Sequence, residues 1–180
     1  MLFSASQMIK YAPRLTAIVL LLTVAHAHAR AQRPLIEVGV GGVVPTGFKP
    51  GYSPGPLLRL GVESRSAGKA EVRLDAEYFQ VPRHSEGTLG RSFALVANIL
   101  VRGRNAGTQP YGLISPVLNV FLYSASDDCC PGVVPGLRGG FGVARQVGRA
   151  RLSFEIAPTF AWLGGGLRLG PIPISLGTAF

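Results

Sequence analysis

Cysteine is almost missing from this chain: of 180 residues only Cys129 and Cys130 carry a thiol, and they are neighbours. Adjacent cysteines bridge each other only with backbone strain, because the Cα atoms of a relaxed disulfide lie further apart than those of consecutive residues. No C-x-x-C spacing occurs and no histidine stands near the pair, so neither a zinc site nor a thioredoxin-like motif is expected there. Histidine is equally scarce. Two of the three, His26 and His28, fall in a segment argued below to be removed, which leaves His84 as the only imidazole available for chemistry. Acids number nine against 18 Lys plus Arg, and lysine occurs only at Lys10, Lys49 and Lys69. The basic excess is scattered arginine, not a cluster on a helix with interleaved aromatics, so no nucleic-acid partner is expected. After the N-terminal segment there is no run of about 18 apolar residues, which excludes a membrane-spanning helix in the remainder.

The first 31 residues read as an export signal. Met1–Arg14 is basic, Leu15–Ala25 is an apolar run of signal-peptide length, and Ala29-x-Ala31 fits the small-residue cleavage rule, giving a mature start at Gln32. Ala27-x-Ala29 is a second option. No cysteine follows either site, so no lipoprotein anchor is expected. Residues 32–180 then form one domain. Loss of Lys10, Arg14 and Arg30 leaves 15 basic and nine acidic residues, a net +6.

The chain is rich in Gly (24) and Pro (14), all but one of these beyond residue 31, a composition suited to many short strands and turns. Eight segments alternate with period two: residues 35–44, 56–64, 70–79, 92–102, 111–123, 136–147, 150–162 and 169–180. In the first, Ile36, Val38 and Val40 oppose Glu37, Gly39 and Gly41; in the third, Val72, Leu74, Ala76 and Tyr78 oppose Glu71, Arg73, Asp75 and Glu77. The fifth is the least regular and its phase is open to a bulge. In the last, Ile172, Ile174, Leu176, Thr178 and Phe180 share a face opposite Pro173, Ser175, Gly177 and Ala179. Connections alternate long and short until the last, around Leu163–Leu167. Pro116 and Pro158 fall within segments, where each removes a ladder donor, so bulges or strand ends are expected there.

Periodicity does not say which face meets water; composition does. The polar face holds Glu37, Arg59, Glu63, Glu71, Arg73, Asp75, Glu77, Arg138, Arg151 and Glu155 among Gly, Ala, Ser and Asn, while Lys49 and Lys69 lie in connections. Arginine and carboxylate among tiny residues suit a crowded interior in which charges satisfy one another. The greasy face is then outermost, as in a membrane barrel. Tyr78, Tyr111, Phe121, Tyr123, Phe160, Trp162 and Phe180 stand toward segment ends, as an interfacial aromatic belt would.

By strand number, loop alternation, face chemistry and the closing aromatic residue, residues 33–180 resemble the small eight-stranded bacterial outer-membrane barrels of the OmpA-like transmembrane type. The resemblance implies an all-β, eight-stranded antiparallel up-and-down transmembrane β-barrel behind a cleaved signal peptide. It also implies that Ile172, Ile174, Leu176 and Phe180 are an assembly signal, with outer-membrane lipids and the barrel assembly machinery as partners. Thr178 departs from the larger apolar residue usual there. Some relatives of that type are lipid-modifying enzymes, one with Ser, His and an acid on a strand, but no F-x-H-x-S pattern occurs here. His84-Ser85-Glu86 cannot form a relay as consecutive residues, and Glu71, Asp75 and Glu77 sit among arginines that favour a charge network over acid–base work. The glycines at 139–142 and 164–166 open no helix and so form no phosphate loop.

No catalytic, cofactor or metal site is expected, nor an open pore, since side chains fill a barrel of this size. The expected role is structural or surface-interacting, through loops at Phe48–Tyr52, Val81–Leu89 and Asp127–Pro131. The alternatives are a lipid-modifying enzyme of the outer membrane and a soluble periplasmic barrel with an apolar ligand inside.

Overall fold

The computed structural model describes residues 34–46, 52–64, 70–82, 89–103, 107–122, 132–163 and 166–180. The export segment, His84 and the Cys129-Cys130 pair lie outside the described residues, as does most of the three long loops. Ten strands follow in order: β1 (Leu35–Val44), β2 (Gly55–Ser64), β3 (Ala70–Pro82), β4 (Leu89–Arg102), β5 (Thr108–Leu122), β6 (Val133–Val147), β7 (Ala150–Ile156), β8 (Thr159–Leu163), β9 (Gly166–Leu169) and β10 (Ile172–Ala179). All neighbours are antiparallel, and β1 pairs with both β2 and β10. Since β10 also pairs with β7, and β7 with β6, the sheet closes on itself. The ten strands are eight staves, the seventh made of β7 and β8 and the eighth of β9 and β10. No described helix is long and apolar enough to cross a membrane.

Alternation explains the two surfaces. Glu37, Arg59, Arg73, Asp75, Glu77, Arg138 and Glu155 are buried. Apolar residues next to them are open: Ile36 is 54% exposed, Leu58 56%, Leu60 57%, Leu137 44% and Phe154 38%. A water-soluble barrel would have these faces the other way round, so the reading with an apolar ligand inside does not hold. The fifth stave keeps one phase, with Tyr111, Leu113, Ser115, Val117 and Asn119 all buried.

The two prolines act differently from each other. Pro116 makes neither a bulge nor a strand end, contrary to expectation. Pairing of β5 with β6 runs unbroken through Pro116↔Leu137. The β4–β5 ladder lapses opposite Ala97 and Asn98 and resumes in the same register, Val96↔Val117 before the gap and Ile99↔Ile114 after it. A side-chain bond spans that gap, Ser115 Oγ donating to Asn98 Oδ1 at 2.6 Å. A cross-strand bond is thus kept inside the lumen where the ladder lapses, and the register is unchanged.

Pro158, by contrast, separates β7 from β8. Opposite it, Ile156 pairs with Ile174 while Phe160 pairs with Leu169, so four steps on one stave match five on the other. The extra residue falls in the Gly170-Pro171 stretch, and Thr46 Oγ1 donates to the Gly170 carbonyl there. One inserted residue exchanges the faces of everything beyond it. Leu167 and Leu169 point outward before the bulge and Leu176 after it. The bulge lets odd- and even-numbered apolar residues of one stave share the exterior.

Both described ends of the chain lie at one end of the barrel, where the Ile36 and Phe180 backbones exchange hydrogen bonds of 3.0 and 3.3 Å. The β2–β3, β4–β5 and β6–β7 connections are at that same end. The last of these is tight, and Gly148 at φ +59° supplies the positive φ that a two-residue hairpin loop needs.

Candidate functional site

The lumen is stacked in layers. At the end away from the termini, Val43, Leu57, Phe79, Val81, Ala94, Val96 and Val117 form a buried apolar cluster, with Tyr52 packed against it. This plugs the mouth with side chains that offer water and ions no partner. Below it Arg138 holds Glu77 in a two-pronged pair, Nη1 to Oε1 at 2.7 Å and Nη2 to Oε2 at 2.8 Å, while its Nε donates to Thr159 at 3.0 Å. The planar guanidinium fork matches a carboxylate in this geometry, and a lysine would not.

The centre is a closed ring of alternating charge. Arg59 donates to Glu37 at 2.6 Å and to Glu155 at 3.0 Å. Arg73 returns from Glu155 at 2.7 Å to Glu37 at 3.3 Å, and its Nε reaches Asp75 at 2.9 Å. Four staves are tied across the lumen by this ring, since Glu37 is on β1, Arg59 on β2, Arg73 on β3 and Glu155 on β7. Neutral groups add further bonds: Ser153 donates to Glu37 at 3.0 Å, Tyr111 to Glu155 at 3.0 Å and Asn98 to Asp75 at 2.7 Å, while Asp75 Oδ1 and Arg59 Nε have no hydrogen-bond partner among the described residues.

Nearer the termini a third group forms. Arg102 takes Glu71 and Glu63, the latter at 3.0 Å, and Arg151 takes Glu63 at 2.5 Å. The Arg102 guanidinium also lies 5.0 Å from the Tyr111 ring centroid, a cation–π distance.

All ten polar-face residues named from the sequence therefore point into one lumen, in three groups. The sequence reading missed Arg102. Carrying the inward row of β4 on from Asn98 and Leu100 by two more residues would have found it. Tyr111 was misassigned to the aromatic belt: it is buried at 4% exposure and serves the ring through its hydroxyl. A phenol near a strand end can face either way, and the buried carboxylate at its tip decides. Tyr78 faces out, its ring 5.0 Å from that of Phe93, with Phe160, Trp162 and Phe180 also exposed. Phe121 and Tyr123 contribute no described side chain. Residues of the proposed assembly signal lie on the exterior of β10, with Phe180 65% exposed.

The chemistry available is that of a charge network in which every lumen carboxylate is paired with an arginine. The three acids Glu71, Asp75 and Glu77 are each held by an arginine. Among the described residues no group of three His, Cys, Asp or Glu could hold a metal.

No protein-family model and no curated protein matches the chain. Solved structures do. Neisserial surface protein A superposes with a TM-score of 0.56 at 13% identity, over 81% of this chain and 95% of that one. The outer membrane enzyme PagL superposes at 0.54 and 16% identity, over 81% and 98%. At such identities the likeness is one of fold: this is the small eight-stranded barrel found in outer-membrane proteins.

Proposed function

We propose that the chain is an integral protein of the bacterial outer membrane, exported by residues 1–31 and seated with its termini in the periplasm. Its role is structural or lies in surface contacts made by the longer loops, without catalysis and without an open pore. One observation carries this reading. Twenty-four large apolar side chains among the described residues are exposed around the wall, from Ile36 to Phe180, while all six acids of the staves and five of their arginines are turned inward. A soluble monomer rarely leaves apolar patches beyond a few hundred Å² bare, whereas lipid tails complete such a wall. The filled lumen argues against conduction. Loops around Phe48–Tyr52, Val81–Leu89 and Asp127–Pro131 are the candidate contact surface, facing outside the cell in this orientation.

The test is outer-membrane fractionation combined with electrophoresis of heated and unheated samples. The expected result is recovery with the outer membrane and a heat-dependent change in mobility. Recovery in the soluble periplasmic fraction, with no mobility change, would overturn the reading.

The assembly role of the last strand has its own test. Replacing Phe180 with Ala keeps the backbone bonds to Ile36 and removes an exposed ring. Assembled protein in cells should fall several-fold, while the stability of barrel refolded in detergent changes by less than about 1 kcal/mol. Equal assembly of wild type and variant would remove Phe180 from that role.

A further inference from the structure

Closure of the barrel sorts the charges by level. The lumen holds six acids and five arginines, which leaves −1 inside. By sequence, Lys49, Arg83, Glu86, Asp127 and Asp128 belong to connections at the end away from the termini, which with Arg91 and Arg168 leaves +1 there. The end that holds the termini has six cations and no acid outside the lumen. Arg145 and Arg149 are exposed on the β6–β7 hairpin. By sequence, the other two connections at that end carry Arg65, Lys69 and Arg104, and Arg33 precedes β1. The whole net +6 of the mature chain is accounted for by this one end. Glu63 and Glu71, the acids nearest in level, are occupied inside by Arg102 and Arg151.

Arg145 differs from an ordinary surface arginine in its position. It follows the outward row of β6 between Val143 and Val147, which are 42% and 51% exposed, and is paired with Leu152, 49% exposed. Its stem thus runs along the apolar wall, and its guanidinium emerges at the last rungs before the turn that carries Arg149. Long basic side chains at such a level hold their heads among lipid headgroups. Among the described residues no acid forms an ion pair with Arg145 or Arg149, which leaves both cations open to a partner outside the chain.

We propose that the β6–β7 hairpin, through Arg145 and Arg149, binds the phosphate groups of anionic phospholipid in the inner leaflet of the outer membrane. This rests on the outer-membrane reading above. A lipid fits better than a soluble acidic partner because Arg145 is reached along the bilayer-facing wall. A net-anionic headgroup fits better than a zwitterionic one because each cation near the surface adds about 1 kcal/mol of attraction.

The experiment uses the mature chain refolded into vesicles of phosphatidylethanolamine with roughly one-fifth phosphatidylglycerol, a mixture whose surface is anionic. Lipid that stays with the protein through mild detergent extraction is measured by mass spectrometry, and heat-dependent mobility is scored on the same sample. Several-fold enrichment of phosphatidylglycerol is expected in the wild type. The enrichment should be lost in R145Q/R149Q, kept in R91Q at the other end, and stripped from the wild type by high salt. A heat-shifting barrel without enrichment overturns this inference alone, as does enrichment that survives high salt or survives in the double variant. A chain that shows no heat shift in any vesicle overturns the membrane reading with it.

Discussion

Replacing Arg73 with Met should destabilise the folded barrel by about 3–5 kcal/mol, the range found when one partner is removed from a buried ion pair. Arg73 is 1% exposed and is the hub of the central ring, bonded to Glu37, Asp75 and Glu155. Methionine fills much of the volume but leaves three carboxylates with Arg59 as their one remaining central cation. The cost is therefore that of carboxylates held in a lumen where water is scarce, more than the loss of the bonds themselves. Lysine should recover only part of it, because its compact ammonium lacks the span of the guanidinium, whose Nε, Nη1 and Nη2 each reach a different carboxylate. Adding E155Q to R73M removes one of the stranded charges, so the double variant should be more stable than R73M alone. The readout is the urea midpoint of the refolded barrel, followed by fluorescence of Trp162, the sole tryptophan. An unchanged midpoint in R73M would mean that the ring contributes nothing to the fold.

Replacing Gly177 with Val should cost as much or more, against the ordinary preference of strands for β-branched residues. A Cβ at Gly177 would stand 2.5 Å from Glu37 Oε1, 2.6 Å from Ser153 Oγ and 2.9 Å from Arg59 Nη2. Each of those atoms is already committed to the central ring. Even Ala must displace the ring, at about 1–3 kcal/mol for overpacking a tight interior, and Val adds two methyl groups in the same place. The expected outcome is a refolding yield reduced at least several-fold for G177V and a lowered midpoint for G177A. Gly112 is the control. It faces outward with nothing within 4 Å of the added carbon, so G112A should leave the midpoint where it is. Equal behaviour of G177A and G112A would show that the lumen has slack near the ring.

These two residues also mark how far the sequence could be read. The period-two pattern shows that Arg73 and Gly177 share the polar face, because alternation is a local property of an extended chain. Nothing local shows that Gly177 lies against Glu37, 140 residues earlier, or that Arg73 meets Glu155 across the barrel. Both contacts depend on the pairing of β1 with β10 and on the register of every stave between. Pro116 and Pro158 make the same point. Each removes one donor, yet the register is unchanged across Pro116, where Ser115 and Asn98 bridge the gap. Pro158 stands opposite a bulge because Leu167 and Leu169 must share the exterior with Ile172 and Ile174. Arg102 and Tyr111 keep the phase of their strands, and what the sequence does not carry is that they meet each other and the carboxylates of other staves across the lumen.

The sequence by itself determined that the staves are short and amphipathic and that charge and small residues share one face. Each follows from residue order alone. Tertiary structure decided which charges meet, where the ladder bends and how the basic excess is distributed. Arginines that look scattered along the chain become a nearly neutral lumen of six acids and five arginines, with Arg145 and Arg149 exposed on the rim beside the termini. Level along a closed barrel is set by hydrogen-bond register between strands, and no stretch of sequence carries that information alone.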